Sequence, residues 1–123
     1  MNSSNLIENW EFDQLAIVDP NFALLKEIRK SKTQGHATAR LGEMFLEMSQ
    51  RLYDKSFGER LPKDVKDDFV AYGALDAVQY YDRFNEEISQ KPMIYIYQII
   101  KSSFAKATTK ILRPRHYEDV ISI

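Results

Sequence analysis

The placement of proline is the feature that most restricts how this chain can fold. Pro20, Pro62 and Pro92 each stand directly before a segment whose apolar residues recur at helical spacing. Proline fixes φ near the helical value and lacks an N–H, so it suits the first turn of a helix and breaks the interior. A fourth proline, Pro114, is expected to stop the last helix. These positions predict a series of helices and give little signal for strands.

Apolar spacing sets the approximate bounds of the predicted helices. Residues 5–16 form a weak first segment, and Asp19 is expected to cap a helix that runs to about Arg29, followed by a loop over residues 31–35. Further helices are predicted over residues 36–54, from Pro62 to about Phe84, and from Pro92 to about Leu112. The predicted fold class is all-α, a compact bundle of about four to five helices with no sheet.

The third predicted helix has a stripe of large apolar residues, which we expect to face the core. Its members are Val65, Phe69, Tyr72, Leu75, Val78 and Tyr81. Their spacing of three or four residues places them along one side of a helix. After this helix, Asn85 to Gln90 is predicted to be a polar connection.

The last predicted helix is apolar on more than one side. An inward stripe is predicted at Ile96, Ile100, Phe104 and Ile111. A second stripe contains Tyr95, Gln98, Ser102, Lys106 and Thr109, and it is aromatic at its start and polar or basic along the rest. Such a face suits contact with nucleic acid, and it is equally consistent with ordinary solvent-facing surface.

Charge is distributed unevenly along the chain, although the net charge is only −1. Residues 1–90 carry 11 Lys+Arg and 16 Asp+Glu, whereas residues 91–115 carry six basic residues and no acid. The near-neutral total argues against a general nucleic-acid binder. A basic block on an acidic body can still contact phosphates locally. The alternative is a solvated helix face that happens to be basic.

Length and composition favour one domain in a reducing compartment. The chain has 123 residues, the size of a single domain, and it contains no cysteine, which excludes disulfides and thiol chemistry. No apolar run approaches the roughly 18–20 residues that span a bilayer. The first residues do not resemble a secretory signal. We therefore expect a cytoplasmic protein that makes no membrane contact.

Residues suited to catalysis or metal binding are not clustered in the sequence. His36 and His116 lie 80 residues apart, and neither has a partner at metal-ligand spacing. Asp64, Asp67 and Asp68 begin the third helix, where acids complement the helix dipole without any active site. The four glycines do not form a phosphate-cradling loop. The sequence predicts a binding protein and not an enzyme, with no catalytic residue, cofactor or metal site.

Two adjoining segments resemble a known family. Residues 68–85, DFVAYGALDAVQYYDRFN, resemble region 2.2 of sigma-70-class transcription factors: an acid starts the helix, a glycine follows five residues on, and Asp-Arg-Phe-Asn closes it. Residues 91–106, KPMIYIYQIIKSSFAK, then fall without a gap where regions 2.3 and 2.4 would lie. The Pro-x-x-Tyr-Ile-x-Gln arrangement looks most like the late-transcription sigma factors of T-even-type phages. Helix 36–54 would correspond to region 2.1.

The resemblance implies roles for individual residues. In the family, the exposed face of the 2.2 helix binds the clamp helices of the largest subunit of bacterial RNA polymerase. The matching residues here are Asp68, Ala71, Asp76, Gln79, Asp82 and Arg83. Tyr95 matches the aromatic residue that stacks on a flipped adenine of the −10 promoter element. Promoter DNA would also contact Gln98, Lys101, Ser102, Lys106, Lys110, Arg113 and Arg115, in part through phosphates.

The chain also departs from the housekeeping members of that family. Gln98 and Ile99 stand where those factors carry two adjacent tryptophans, and nothing after residue 112 can form the helix-turn-helix that reads a −35 element. The resemblance therefore implies a factor that recognises only an A/T-rich −10-like sequence. It would need a co-activator on the polymerase flap or a sliding clamp, which the tail at residues 113–123 could engage. The implied organisation is an N-terminal helical segment (1–35), a sigma region 2-like domain (36–112) and that tail.

Two other interpretations stay open at the level of sequence. One is a helical adaptor or anti-host protein that binds polymerase and never recognises a promoter, which the acidic body of the chain favours. The other is a structural bundle whose aromatic stripe is merely core. The structural bundle predicts a buried Tyr95 and basic residues scattered around the last helix. If the chain is phage-encoded, the expected compartment is the host bacterial cytoplasm.

Overall fold

The computed structural model describes residues 19–115, in which four helices and no strand are found, so the all-α prediction is confirmed. The helices are α1 (Pro20–Gln34), α2 (Ala39–Ser56), α3 (Lys63–Tyr80) and α4 (Pro92–Ala107). A 3₁₀ turn, Tyr81–Arg83, ends α3, and α4 continues through a π-helical turn, Thr108–Leu112, and a 3₁₀ turn, Arg113–Arg115. The weak helix predicted at 5–16 and the tail beyond Arg115 lie outside the described residues. None of the described helices has both the length and the apolar character needed to cross a membrane.

Capping side chains and a left-handed glycine set the bounds of α1 and α2. The Asp19 carboxylate accepts a hydrogen bond from the Asn21 N–H at 2.9 Å, and the Thr38 hydroxyl accepts one from the Leu41 N–H at 3.0 Å. Gly35, with φ of 88°, ends α1. The prediction that α1 stops near Arg29 and that residues 31–35 form a loop was wrong, because the helix continues to Gln34 and only the glycine leaves it.

The buried side of α3 differs from the predicted stripe. Val65, Phe69 and Tyr81 are buried as expected, but three other members of the stripe are exposed: Tyr72 by 47%, Leu75 by 62% and Val78 by 39%. Small residues (Gly73, Ala74 and Ala77) are buried in their place. The prediction was wrong because α3 packs closely against two helices, and only small side chains fit at the contact. The helix also ends at Tyr80 and not at Phe84.

Aromatic rings from three helices form the centre of the core. The Phe69 ring centroid lies 5.8 Å from that of Tyr53, 5.3 Å from that of Phe57 and 5.6 Å from that of Phe104. The predicted inward residues Ile96, Ile100 and Phe104 of α4 are buried, and Ile111 packs partly buried against the same cluster. Leu24 and Ile28 bring α1 into this core as well. All four helices therefore share one hydrophobic interior.

Replacing Tyr53 by phenylalanine is expected to stabilise the fold. Tyr53 is fully buried, and its hydroxyl has no hydrogen-bond partner. A buried unpaired hydroxyl forfeits its hydration, at a cost of about 1–3 kcal/mol. We expect Tyr53→Phe to raise the free energy of unfolding by about 1 kcal/mol, measured by urea denaturation. A loss of stability would show that the hydroxyl has a favourable contact, for example with an internal water.

The same substitution is expected to change how stability depends on alkaline pH. Burial, and then the charge of Asp54, raises the pKa of Tyr53 above its ordinary value of 10.0. Above that pH an unfolded tyrosine loses its proton while the folded one keeps it, so stability falls as pH rises. The decrease between about pH 8 and about pH 10.5 should be smaller in Tyr53→Phe than in the wild type. If the free energy of unfolding decreased equally in the two proteins, the raised pKa of Tyr53 would not be the cause of the decrease.

Candidate functional site

One side of α3 carries exposed apolar residues framed by charges. We call this side the α3 surface, and it consists of Asp68, Ala71, Tyr72, Leu75, Val78, Gln79, Asp82 and Arg83 of α3 and its 3₁₀ turn. Five of the six residues matched to the polymerase-binding face lie on it, all exposed; the sixth, Asp76, is half-buried at its edge. A contiguous exposed apolar patch with a polar rim is typical of a protein-interaction site.

The apolar members of the α3 surface are the part that sequence reasoning missed. Tyr72, Leu75 and Val78 were assigned to the core because they are large and recur at helical spacing. The signal that could have corrected this is the run of small residues on the opposite side, Gly73 and Ala77 in particular. Small side chains at helical spacing mark the side on which another helix approaches closely.

A pocket of about 360 Å³ opens beside the start of α4. Its lining residues are Arg83, Phe84, Asn85, Ile88, Ser89, Lys91, Ile94, Tyr95 and Gln98, and we call it the Tyr95 pocket. Ile88 and Ile94, which are 83% and 56% exposed, supply apolar walls. Arg83 and Lys91 supply positive charge, and Gln98 supplies an amide. The pocket therefore combines apolar and aromatic surface with cations and hydrogen-bonding groups, the combination that suits a polar ring attached to an anion.

Tyr95 is held in a defined orientation within this pocket. Its hydroxyl donates a hydrogen bond to the Tyr80 carbonyl oxygen at 3.2 Å. Its ring centroid lies 5.6 Å from that of Phe84, with the two rings tilted by 53°. The side chain is half-buried and packs against the hydrophobic core, so it is not a freely moving surface ring. Arg83 also lines the pocket, and its guanidinium carbon lies 4.8 Å from the centroid of the Tyr80 ring.

The other residues matched to promoter contacts are exposed but do not form one line. Gln98 lies in the Tyr95 pocket. Lys106 and Lys110 line a separate groove between α3 and α4, whose other residues are Tyr72, Asp76, Ser103 and Ala107. Five residues of helix separate Lys101 from Lys106, which is about 140° around α4.

The remaining matched residues extend the exposed side of α4 and its end. Ser102 and Arg113 are exposed, and the side chain of Arg115 lies outside the described part of the chain. Lys101, Lys106 and Lys110 form no ion pair with any residue between 19 and 115. Lys106 and Lys110 nevertheless share their groove with Asp76, and Lys101 lies on a different side of α4.

The loop before α4 contributes residues that sequence reasoning treated only as a polar connection. Asn85, Ile88 and Ser89 all line the Tyr95 pocket. The one available signal was Ile88, an apolar residue in an otherwise polar stretch, which is unexpected in a loop that serves only to connect.

Comparison of the chain with protein-family models, curated proteins and solved structures gave no match.

Proposed function

We propose that this protein is a sigma-type transcription initiation factor, which binds bacterial RNA polymerase core through the α3 surface and opens an A/T-rich −10-like element at the Tyr95 pocket. The observation that carries the proposal is the position of Tyr95. The ring matched to the base-stacking residue is bonded to the Tyr80 carbonyl and lines a pocket that Arg83 and Lys91 also line. This pocket shares Arg83 with the α3 surface, so a docked polymerase would lie next to it.

The α3 surface supports the first half of the proposal. Leu75, with Tyr72 and Val78 on either side, presents apolar area that α3 does not bury in its own fold. Asp68 and Asp82 lie near its two ends and would fix the register of a partner that carries basic residues. An elongated apolar stripe on one helix suits a helical partner, which packs its own ridge along it. The clamp helices of the polymerase largest subunit are such a partner.

The Tyr95 pocket supports the second half. A volume of about 360 Å³ lies within the roughly 300–1,000 Å³ range of small-molecule sites, which leaves room for a flat nucleobase. Stacking a base on an aromatic side chain contributes about 1–3 kcal/mol. Gln98 can hydrogen-bond the edge of a base, and Lys91 can approach the phosphate that follows it. The pocket would therefore hold one unstacked base of an open strand.

The basic residues outside the pocket would add affinity without reading sequence. Lys101 and Lys106 point to different sides of α4, so we assign them to separate phosphates or to the polymerase and not to one groove of a duplex. Among the described residues, those of the Tyr95 pocket would then read the −10-like element. A co-activator on the polymerase flap, or a sliding clamp bound by the C-terminal tail, would supply the upstream contact. The protein would act in the bacterial cytoplasm.

A second candidate is a polymerase-binding adaptor without promoter recognition. The separation of Lys101 from Lys106 around α4 favours the adaptor over a promoter-binding factor, because a dedicated DNA surface usually gathers its cations on one side. The same separation is also what the structural bundle predicts. The α3 surface needs only a protein partner to be explained.

Run-off transcription with bacterial core polymerase separates the two candidates. Templates with a duplex and with a premelted A/T-rich −10 element are transcribed with wild type, Tyr95→Ala and Tyr95→Phe. We expect Tyr95→Ala to reduce duplex initiation about tenfold, equal to ~1.4 kcal/mol of lost stacking, and to affect the premelted template little. Tyr95→Phe keeps the ring and loses only the bond to Tyr80, so it should remain close to wild type.

Two results would contradict the sigma proposal. Failure of the wild type to initiate on either template, despite a stable complex with core, would favour the adaptor. Equal losses for Tyr95→Ala on the two templates would mean that the ring is needed for something other than opening the duplex.

A further inference from the structure

A loop forms much of the Tyr95 pocket. Residues 84–91, which we call the pocket loop, contribute Phe84, Asn85, Ile88, Ser89 and Lys91 to its lining. The loop contains no helix or strand, and its own backbone bonds are those of one turn, in which the Asn85 carbonyl accepts from the N–H groups of Ile88 and Ser89. Bonds of this kind shape a turn locally. They do not fix the turn relative to α4, which carries the opposite wall of the pocket.

Helix α1 supplies polar contacts that hold the pocket loop, in addition to the packing of the buried Phe84 ring on Tyr95. At the start of the loop, the Lys32 ammonium donates to the Phe84 carbonyl oxygen at 2.6 Å. Within the loop, Arg29 binds the Glu86 carboxylate through Nε, at 2.8 and 3.0 Å from its two oxygens, and through Nη2 at 2.6 Å. Just beyond it, the Asn21 side-chain oxygen accepts from the Met93 N–H at 3.0 Å.

The three contacts differ in chemistry but act on one stretch of chain. Arg29 holds both carboxylate oxygens of Glu86, a planar arrangement that fixes direction as well as distance. Asn21 provides a partner for an N–H group in the first turn of α4, which has none within its own helix. Lys32 holds the carbonyl of Phe84, the residue whose ring packs on Tyr95. Displacing α1 from the loop would therefore move the wall against which Tyr95 is oriented.

We infer that α1 is a positioning element of the Tyr95 pocket, with Arg29 and Glu86 as its central pair, and that it keeps the pocket open for an unpaired nucleobase. The inference rests on the proposed function for the identity of the ligand, but not for the mechanical link between α1 and the loop. Residues 68–106 carry the resemblance, and α1 lies before them in the chain. The positioning role of α1 is therefore not part of what the resemblance implies.

Charge reversal tests the central pair. Arg29→Glu, Glu86→Arg and the double variant are compared with wild type for binding of a fluorescently labelled, A/T-rich single-stranded oligonucleotide. We expect each single variant to bind about three- to tenfold more weakly and the double variant to recover to within about twofold. Glu86→Arg is the informative single variant, because the positive charge it adds beside the pocket would by itself strengthen binding of an anion. Weaker binding in this variant therefore reports a displaced loop.

A matched control and a second readout complete the experiment. Lys30→Glu makes the same charge change as Arg29→Glu at an exposed neighbouring position of α1 and should change the affinity by less than about twofold. Methyl NMR of Ile88 and Ile94 reports the pocket walls directly. We expect their signals to shift in both single variants, to return in the double variant and to stay unchanged in Lys30→Glu.

The outcomes distinguish the inference from the proposed function. If both single variants leave the methyl signals of Ile88 and Ile94 at their wild-type positions, α1 does not position the pocket. If the double variant fails to restore those signals, the Arg29–Glu86 pair is not the link. If the wild type does not bind the oligonucleotide while the methyl signals shift and return as expected, the nucleobase pocket is wrong and the positioning role of α1 stands.

Discussion

Replacing Gly73 by alanine is expected to lower the free energy of unfolding by about 1–3 kcal/mol, the usual cost of overpacking a well-packed core. A Cβ atom at this position would lie 2.4 Å from the Ser49 hydroxyl oxygen, 2.9 Å from Cγ2 of Ile100 and 3.0 Å from Cε1 of Phe104. The Ser49 hydroxyl cannot turn away without losing its bond to the Val70 carbonyl oxygen, at 2.9 Å. Since α2 and α4 close on α3 from two sides at this position, relief requires that a helix move.

Gly42→Ala is the matched control for this substitution. Gly42 also lies inside a helix, α2, but nothing lies within 4 Å of the Cβ that alanine would add. Alanine is favoured over glycine in a helix by about 1 kcal/mol, so Gly42→Ala should raise stability while Gly73→Ala lowers it. Urea denaturation of both variants measures the two effects. A stabilised Gly73→Ala protein would show that the three helices do not approach as closely as described.

Gly73 also explains why the helices could be predicted while their packing could not. The start of a helix is determined by a few neighbouring residues. The pair Asp19-Pro20 indicates the start of α1, and Pro92 indicates the start of α4. Which side of α3 is buried depends on the side chains that fit between α2 and α4. Large apolar residues such as Leu75 are exposed to solvent because the contact with α2 and α4 has no room for them. An apolar stripe identifies a helix reliably, but it identifies the core-facing side only where the contact has space for large side chains.

The candidate site likewise has parts that could be predicted from the sequence and parts that could not. The resemblance implied a functional ring at Tyr95, and this side chain lines a pocket. The contact that shapes this pocket joins Arg29 to Glu86, 57 residues apart, and no pattern in either segment indicates it. The separation of Lys101 from Lys106 follows from helical geometry and could have been foreseen, because five residues of helix never return to the same side.

Leu75→Asp is expected to weaken binding to RNA polymerase core at least about 30-fold and to leave oligonucleotide binding close to wild type. Leu75 lies at the middle of the α3 surface and is 62% exposed, so the substitution should cost the isolated protein little stability. Truncating a hot-spot residue near the centre of an interface costs about 2 kcal/mol or more, ~30-fold in affinity, and a buried carboxylate without a partner adds to this. Surface-immobilised core polymerase and labelled oligonucleotide provide the two affinities.

Ile88→Asp is the reciprocal variant. It places a carboxylate in the Tyr95 pocket at Ile88, which is even more exposed than Leu75. It should retain core binding and lose oligonucleotide binding, since it puts a negative charge where a base and its phosphate would lie. If the two surfaces are separate, Leu75→Asp should lose only polymerase binding and Ile88→Asp should lose only oligonucleotide binding. If Leu75→Asp bound core as tightly as wild type, the α3 surface would not be the docking face. If both variants lost both activities, the polymerase and the single strand would share one surface, and the assignment of polymerase to the α3 surface and of the base to the Tyr95 pocket would be wrong.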